Sequence, residues 1–151
     1  VVYIRKDQSI RTQPIAGFLV EGKQKLTAGE VLAEIRIPFS DGVFALERVA
    51  RTPADQEIVA VVVFLLLSSS QITQARVAIS GASPQPMRFL AVEQALEQQE
   101  FSGSLVEKAA EIATREAKPI GDFRGSAEYR AAMAGTLTRR ALLKAWNLKA
   151  G

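Results

Sequence analysis

The sequence of 151 residues contains no cysteine and no histidine. Without cysteine the chain forms no disulfide and holds no thiolate-bound metal or iron–sulfur cluster, and without histidine it has no imidazole ligand. Catalysis by a cysteine nucleophile or by a Ser-His-Asp triad is excluded for the same reason. An independent small hydrolase therefore has little support, because no nucleophile–base pair is evident. Hydrolysis by carboxylate side chains alone stays open.

The sequence also lacks a membrane span, a secretory signal and a glycine-rich phosphate loop. Its longest apolar segment, residues 58–67, is shorter than the roughly 20 residues that a membrane-spanning helix needs. The N-terminus has no apolar signal-peptide core, so we expect a cytoplasmic protein. No glycine-rich loop of the kind that binds nucleotide phosphates occurs. Because the chain begins with Val instead of Met, we expect that it was processed or is a piece of something longer.

The composition is that of a folded protein with a modest positive charge. Hydrophobic residues make up 48% of the chain and charged residues 23%, which favours a soluble globular domain over a disordered chain. The length suits one ordinary domain with part of a second. Residues 124–149 contain six Lys or Arg residues against Glu128 alone. This segment is either solvated helix surface or a basic face that binds nucleic acid, an acidic partner or an anionic ligand.

Residues 44–67 form the stretch around which the chain is organised, because a polar turn joins two predicted strands there. Alternation over residues 43–50 predicts the first strand, and the turn that follows contains Pro53. The β-branched apolar run over residues 58–67 comes next and predicts a strand buried on both faces. The turn is therefore anchored directly to the core.

Arg48 is the residue of this stretch with the clearest functional potential. It shares one face of the predicted strand with Phe44 and Leu46, so we place its side chain at the edge of a buried surface. One interpretation is an ion pair with Asp55 or Glu57 that fixes the turn. The other is a cation at the rim of a ligand pocket.

Further strands are predicted on either side of this stretch. Residues 31–37 alternate apolar and charged side chains, which predicts a half-buried strand, and residues 39–42 form a turn that is also a candidate domain boundary. Residues 75–79 alternate again. Residues 81–86 end the sheet and suit the entry into a helix, with Pro86 in its first turn.

Three apolar stripes at helical spacing occupy the last third of the chain, the first of them over residues 89–96. A capping box of Ser104 and Glu107 opens the second helix, which ends at Pro119. Ser126 is the predicted N-cap of the third helix. The order of elements predicts an α+β fold, in which an antiparallel three- to four-stranded sheet is covered by three helices.

Four stretches, in this order, resemble the flavoprotein subunit or flavin domain of the molybdenum hydroxylases, the carbon monoxide dehydrogenase and xanthine dehydrogenase type of enzyme. The stretches are Leu26-Thr27-Ala28-Gly29-Glu30-Val31-Leu32 with Ile35-Arg36-Ile37-Pro38; Arg48-Val49-Ala50-Arg51-Thr52-Pro53-Ala54-Asp55 with Ile58-Val59; Ala75-Arg76-Val77-Ala78-Ile79-Ser80-Gly81 with Pro84, Pro86 and Arg88; and Asp122-x-Arg124-x-Ser126-x-x-Tyr129-Arg130 with Arg139-Arg140-Ala141-Leu142. They extend over about 120 residues.

The resemblance implies two parts. In that family a large N-terminal domain binds FAD through glycine-rich loops, and a smaller α+β domain follows it. Residues 1–38 would be the end of the FAD-binding domain, and residues 39–151 would be the C-terminal domain. The principal FAD site would then lie outside these residues, either removed by truncation or on another chain.

The resemblance also implies a role in electron transfer. FAD would take electrons from iron–sulfur clusters, which are reduced by a molybdopterin centre, and pass them to NAD or another acceptor. The clusters and the molybdopterin would belong to partner subunits, so the enzyme is expected to be oligomeric and the isolated chain inactive. The C-terminal domain would cover part of the flavin, and we assign a group of arginines to contacts between domains or subunits. These are Arg124, Arg130, Arg139 and Arg140.

Arg48, Arg51 and Asp55 are the cofactor-binding residues that the resemblance implies. The family carries a Lys or Arg close to the flavin ring at a position like that of Arg48, where a cation would stabilise negative charge developing on the ring during reduction. Arg51 and Asp55 belong to the same motif. The chain has Glu57-Ile58 where some members carry Asp-Ile, so a register one residue away stays open for Arg48. No catalytic or metal-binding residue is implied.

The alternative function is a stand-alone interaction module that binds an acidic protein or nucleic acid through the basic C-terminal helix. The nucleic-acid version has little support, because the aromatic residues of that helix, Tyr129 and Trp146, fit its apolar side. We therefore expect no nucleic-acid partner.

Overall fold

The computed structural model describes residues 2–4, 9–19, 26–38 and 40–150. The chain divides into two compact units, Val1–Ser40 and Asp41–Gly151. The candidate site lies in the second unit.

The first unit contains a small antiparallel sheet and one short helix. Its strands lie in the order β2-β1-β3, and its elements are β1 (Val2–Ile4), β2 (Ile10–Thr12), α1 (Ile15–Leu19) and β3 (Val31–Glu34). All four residues of β3 are exposed. The half-buried strand predicted over residues 31–37 is therefore shorter than expected. Its predicted buried face was wrong, because the apolar side chains of Val31, Ile35 and Ile37 on that face are exposed.

The second unit is built on a four-stranded antiparallel sheet. The strands lie in the order β4-β5-β6-β7, and they span Val43–Val49, Val59–Ser68, Gln71–Ser80 and Met87–Arg88. The apolar run becomes the central strand β5, as predicted, because β-branched side chains pack well on a pleated surface. The register places Val62 of β5 opposite Leu46 of β4 and Ala78 of β6. Side chains of neighbouring strands therefore continue the same face.

The two faces of this sheet differ in burial. The inner face of β5 is fully buried and consists of Val59, Val61, Val63 and Leu65. The residues between them are partly or largely exposed, and Val62 is an example. The prediction of a strand buried on both faces was therefore wrong. Its apolar composition was read correctly, but the helices of this unit cover one face only.

Three helices cover the inner face, as predicted. They are α2 (Leu90–Leu96), α3 (Gly103–Glu116) and α4 (Ala127–Ala150). Helix α4 packs against α3, β4 and β5, while α2 packs against α3 and β6. Leu137, Ala141 and Leu142 of α4 are fully buried in this layer. The predicted α+β class, with a four-stranded antiparallel sheet and three helices, is confirmed for this unit.

The predicted starts of the helices are partly correct. Ser126 caps α4, since its hydroxyl accepts a hydrogen bond from the backbone N–H of Tyr129 at 3.1 Å. Helix α3 begins earlier than the capping box at Ser104 predicted, because the hydroxyl of Ser102 accepts from the backbone N–H of Leu105 at 3.2 Å. Strand β7 separates Pro86 from α2, so Pro86 does not lie in a helical turn.

Carboxylates of α2 and of its C-cap residue Glu97 cover the outer edge of β6 beyond the short strand β7. Oε1 of Glu93 accepts from the backbone N–H of Val77 at 2.9 Å, and Oε1 of Glu97 accepts from that of Ala75 at 3.2 Å. Glu93 is 3% exposed and also pairs with Arg88. Two side chains one helical turn apart thus take the place of a neighbouring strand.

Candidate functional site

The loop between β4 and β5, residues 50–58, contains Arg51 and Asp55, two of the three predicted cofactor-binding residues. The third, Arg48, lies just before it. Arg48 lies near the end of β4, and its Nη2 donates to the carbonyl oxygen of Pro53 at 2.8 Å. The backbone N–H of Ile58 donates to the carbonyl of Val49 at 2.8 Å. These two hydrogen bonds close the loop beneath the arginine.

The ion pair predicted for Arg48 does not form. Asp55 instead lies 3.6 Å from Nε of Arg51. Because neither partner of this pair is buried, it contributes roughly 0–1 kcal/mol to stability. Arg48 does fix the turn, as one interpretation held, but it binds a carbonyl oxygen because the loop folds back and places Pro53 beside it. The structure thus gathers Arg48, Arg51 and Asp55 in and beside one loop.

Arg48 lies on the outer face of the sheet, together with apolar side chains. Phe44 is 69% exposed and Leu46 is 46% exposed, and both share the face of Arg48 along β4. Val62 extends this apolar surface onto β5. We predicted Arg48 at the edge of a buried surface. The structure instead places it at one end of an exposed apolar face. Exposed apolar patches of this kind mark contact sites for ligands or other proteins.

A second cluster is centred on Asp122, in the connection between α3 and α4. Its Oδ1 accepts from Nη2 of Arg130 at 2.6 Å, and its Oδ2 accepts from Nη2 of Arg124 at 2.9 Å. Oδ1 also accepts from the backbone N–H of Arg124 at 2.8 Å. The guanidinium of Arg130, followed by these contacts from Arg124, holds the pKa of Asp122 well below its ordinary value of 3.8. Asp122 is therefore ionised at neutral pH.

Arg130 is the buried cation of this cluster. It is 4% exposed, and it donates to the carbonyl oxygens of Ile58 at 2.5 Å, Gly81 at 3.1 Å and Gly125 at 3.3 Å. A guanidinium stays charged in proteins, so a buried one needs acceptors and a counter-charge, which Asp122 supplies. The assignment of Arg130 to contacts with another domain or subunit was wrong, because its side chain is used inside this unit.

Gly81 allows two backbones to meet beside Arg130. Its φ is +76°, in the left-handed region that favours glycine. A Cβ at this position would collide with the carbonyl oxygen of Ile58. The glycine therefore brings together two carbonyl groups that accept from one guanidinium.

A cleft of about 380 Å³ opens beside the Asp122 cluster. The β4–β5 loop contributes Gln56 and Glu57 to its wall, the turn after β6 contributes Ser83, and the α3–α4 connection contributes Asp122. Arg124 reaches across to the loop, with 2.9 Å between its Nη1 and Oε1 of Gln56. The loop that contains Arg51 and Asp55 and the cluster around Asp122 are thus joined by a direct hydrogen bond.

The basic segment, residues 124–149, is not a continuous cationic face. Four of its six cations pair with carboxylates of the same unit, in the pairs Arg124–Asp122, Arg130–Asp122, Arg139–Glu107 and Lys144–Glu47. Arg140 is exposed. Because the three paired carboxylates offset half of the six positive charges, the electrostatic support for a stand-alone basic interaction module is weakened.

Asp122 and Gln56 are the site residues whose roles the sequence did not reveal. A signal existed for Asp122, since an Asp followed by Gly and Ser before a helix is typical of a turn in which the carboxylate binds nearby backbone N–H groups. No pattern connects Gln56 with Arg124, which lies 68 residues later. That contact arises from the tertiary fold alone.

A metal site of clustered side chains and a membrane-spanning helix are both absent from the part of the chain that the structure describes. There, no group of three or more His, Cys, Asp or Glu side chains could hold a metal ion. None of the helices in that part has the length and apolar character required to cross a membrane.

Comparison with known proteins relates the chain to one family. The family model of the CO dehydrogenase flavoprotein C-terminal domain matches residues 44–145. The carbon monoxide dehydrogenase medium chain of Hydrogenophaga pseudoflava is 32% identical over 139 residues, which make up 90% of this chain and 48% of that protein. The nicotine 6-hydroxylase medium subunit of Paenarthrobacter nicotinovorans is 31% identical over 120 residues, or 80% of this chain and 42% of that protein. The chain spans about half the length of the curated relatives it matches.

Solved structures share the fold. A carbon monoxide dehydrogenase from Hydrogenophaga pseudoflava, which lacks the Mo-pyranopterin moiety of the molybdenum cofactor, has a TM-score of 0.88 and 33% identity. That likeness covers 97% of this chain and 52% of the other. Quinoline 2-oxidoreductase from Pseudomonas putida 86 has a TM-score of 0.88 with 24% identity over 97% of this chain and 51% of that one, and this likeness concerns the fold alone.

Proposed function

Because the chain belongs to the family of the CO dehydrogenase flavoprotein C-terminal domain, we propose that it is the C-terminal portion of the FAD-binding subunit of a molybdenum-containing oxidoreductase. In this proposal residues 1–38 end the FAD-binding domain and residues 39–151 form the C-terminal α+β domain. The names medium chain and medium subunit among the relatives support the proposal, as does the share of their length that this chain spans. When bound, FAD supplies electron transfer between the iron–sulfur and molybdopterin centres of partner subunits and an acceptor such as NAD.

The outer face of the C-terminal sheet fits one part of a flavin. Phe44 and Leu46 offer exposed apolar surface that suits a flat ring system, and Arg48 offers a cation beside it. Arg51 and Asp55 lie in the loop that follows and are proposed to bind the cofactor as well. The sequence has no glycine-rich loop for the phosphates, so other residues would hold that end. The open apolar face that ends in Arg48 is the observation that supports this site.

Arg48 is proposed to hold negative charge at the edge of the flavin. The hydrogen bond from its Nη2 to the carbonyl oxygen of Pro53 orients the guanidinium. A preoriented cation favours a reduced, more negative ring over an oxidised one, which raises the reduction potential. A ring packed on the exposed side chains of Phe44 and Leu46 would exclude water there and so strengthen this electrostatic effect.

The exposed arginines of α4 are proposed to contact another domain or subunit. Arg139 and Arg140 lie on the solvent side of the helix, where they are accessible to a partner. Activity would then require the assembled, oligomeric enzyme in the cytoplasm, and the isolated chain would be inactive.

Two measurements test this function. The coding DNA is sequenced in frame upstream of the Val1 codon, and the flavin content of the native protein is measured. We expect either an upstream domain with glycine-rich loops or a second co-purifying chain that carries one, together with bound FAD. A start codon directly before Val1, with no flavin in the native complex, would contradict the proposal and favour an interaction module.

A further inference from the structure

The β4–β5 loop has few restraints of its own. Residues 51–54 are exposed, and within the loop Arg48 donates to Pro53 and the backbone N–H of Asp55 donates to Thr52, the latter at 3.1 Å. The backbone hydrogen bond from Ile58 to Val49 closes only the base of the loop. The Arg51–Asp55 pair adds little because it is not buried. A loop of this kind opens readily unless other parts of the protein hold it.

The second half of the loop is held by residues from the far end of the chain. Nη1 of Arg124 donates to Oε1 of Gln56 at 2.9 Å, and Nη1 of Arg130 donates to the carbonyl of Ile58 at 2.5 Å. Arg130 is buried, so the second contact is shielded from water and stronger than a surface hydrogen bond.

Asp122 joins the two arginines into one unit. Each of its carboxylate oxygens accepts from a different guanidinium, Oδ1 from Arg130 and Oδ2 from Arg124. A single carboxylate therefore fixes the spacing between the contact to Gln56 and the contact to Ile58. Displacement of either arginine weakens the hold of the other, since charged groups in one network act together.

We propose that Asp122, Arg124 and Arg130, named here the Asp122 clamp, are positioning residues that hold the β4–β5 loop and, through Pro53, orient Arg48 toward the flavin edge. The inference rests on the proposed function, because only that function gives Arg48 a flavin to face. None of the clamp residues needs to touch the flavin. Their effect passes through the loop, whose Pro53 carbonyl is the acceptor for Arg48.

The test uses Gln56→Ala in the flavin-containing holoenzyme. This variant removes the link from Arg124 to the loop and changes no charge, so a change in flavin potential reports the position of Arg48 and not a lost cation. The matched control is Gln71→Ala, which removes another exposed glutamine with one long-range hydrogen bond, from its Nε2 to the backbone carbonyl of Gln98. The second variant is Arg124→Gln, and Arg115→Gln is its control because it breaks an Arg–carboxylate pair away from the loop.

Two readouts are needed, amide hydrogen exchange of residues 50–58 and the flavin reduction potential. We expect exchange in the loop to become roughly threefold to tenfold faster in Gln56→Ala and Arg124→Gln, as for the loss of one partly exposed hydrogen bond, and to stay unchanged in both controls. The potential should fall in both variants, in the direction expected for Arg48→Ala but by less.

Each other outcome has a distinct meaning. Loop exchange at the level of the controls in both variants overturns the clamp, whatever the flavin does. Faster exchange with an unchanged potential, in an enzyme whose potential falls with Arg48→Ala, also overturns the inference, because the loop is then held without positioning Arg48. If Arg48→Ala itself leaves the potential and the flavin content unchanged, the proposed flavin site fails, and the inference fails with it.

Discussion

Arg130 donates from Nη1 to the backbone carbonyl of Ile58 at 2.5 Å, although Ile58 lies 72 residues earlier in the chain. The contact ties the first turn of α4 to the start of the central strand. The guanidinium is buried, while its counter-charge Asp122 lies at the surface, with 32% of its side chain exposed. The stability of this unit therefore depends on a few polar groups as well as on its apolar layers.

Replacement of the buried cation should be strongly destabilising. We expect Arg130→Met to lower the free energy of unfolding by about 2–3 kcal/mol, because it leaves the carbonyl groups of Ile58 and Gly81 without this donor and Asp122 with Arg124 alone. Urea unfolding followed by circular dichroism measures this loss. The control Arg139→Met breaks an exposed pair and should cost no more than about 1 kcal/mol. Equal losses in the two variants would show that Arg130 has no special structural role.

The depressed pKa of Asp122 predicts a loss of stability in acid. Its pKa is lower in the folded chain than in the unfolded chain, so at acidic pH the unfolded chain binds more protons, and this contribution disappears as the pH falls below about 4. Unfolding free energies measured from neutral pH down to the acid transition should show it. Asp122→Asn should lose stability at neutral pH and depend less on pH in this window. Parallel pH profiles for the two proteins would contradict this prediction.

Glu93 should be more important for stability than its neighbour one turn away. Glu93→Ala leaves the N–H of Val77 without an acceptor at a buried edge and Arg88 without its partner, so we expect a loss of about 2–3 kcal/mol in urea unfolding. Glu93→Gln keeps an acceptor and should lose less. Glu97→Ala is the matched control, and its smaller loss follows from its greater exposure. The order of the three variants decides the prediction, and a larger loss for Glu97→Ala than for Glu93→Ala would refute it.

Two glycine-to-alanine variants should change stability in opposite directions. Gly81→Ala forces a side chain into a left-handed backbone conformation and against the Ile58 carbonyl, so we expect a loss of about 2 kcal/mol or more. Gly103→Ala adds a methyl group to open space at the first residue of α3 and should stabilise the chain by up to about 1 kcal/mol. Thermal unfolding of both variants tests this, and a neutral Gly81→Ala would be inconsistent with the close approach of the two backbones.

Loss of the cation on the outer face should alter the flavin. We expect Arg48→Ala, made in the holoenzyme, to lower the flavin reduction potential or to loosen FAD, since a cation favours the negative charge of the reduced ring. Potentiometric titration and flavin content after gel filtration measure the two effects. Arg115→Ala, an exposed arginine on α3, is the control. Unchanged potential and unchanged flavin retention would remove Arg48 from the site.

The sequence was most informative where local chemistry decides the structure. Strand alternation and the β-branched run predicted β4 and β5, and the Ser126 cap predicted the start of α4, because each depends on residues close together in the chain. The burial of β5 on both faces was predicted wrongly, since composition alone does not show that the helices cover one face.

The candidate site was less predictable because it depends on contacts distant in sequence. Arg48 was identified and its role in the turn foreseen, but its acceptor is a backbone oxygen, which every residue offers and no pattern marks. Arg130 was assigned to a partner surface together with the other arginines of its segment. In the structure, carbonyl groups of Ile58, Gly81 and Gly125 and the carboxylate of Asp122 surround it.

The distance along the chain between the β4–β5 loop and its clamp also sets the order of events during synthesis. At roughly 5–20 residues per second, a ribosome needs on the order of several seconds to add the 72 residues that separate Ile58 from Arg130. During that interval the sheet hairpins can pair, because their partners are already made, but the loop lacks the arginine that later holds it. The loop therefore reaches its final geometry late. In a nascent chain that stalls before Asp122, β4 and β5 would be paired but the loop between them would lack its clamp.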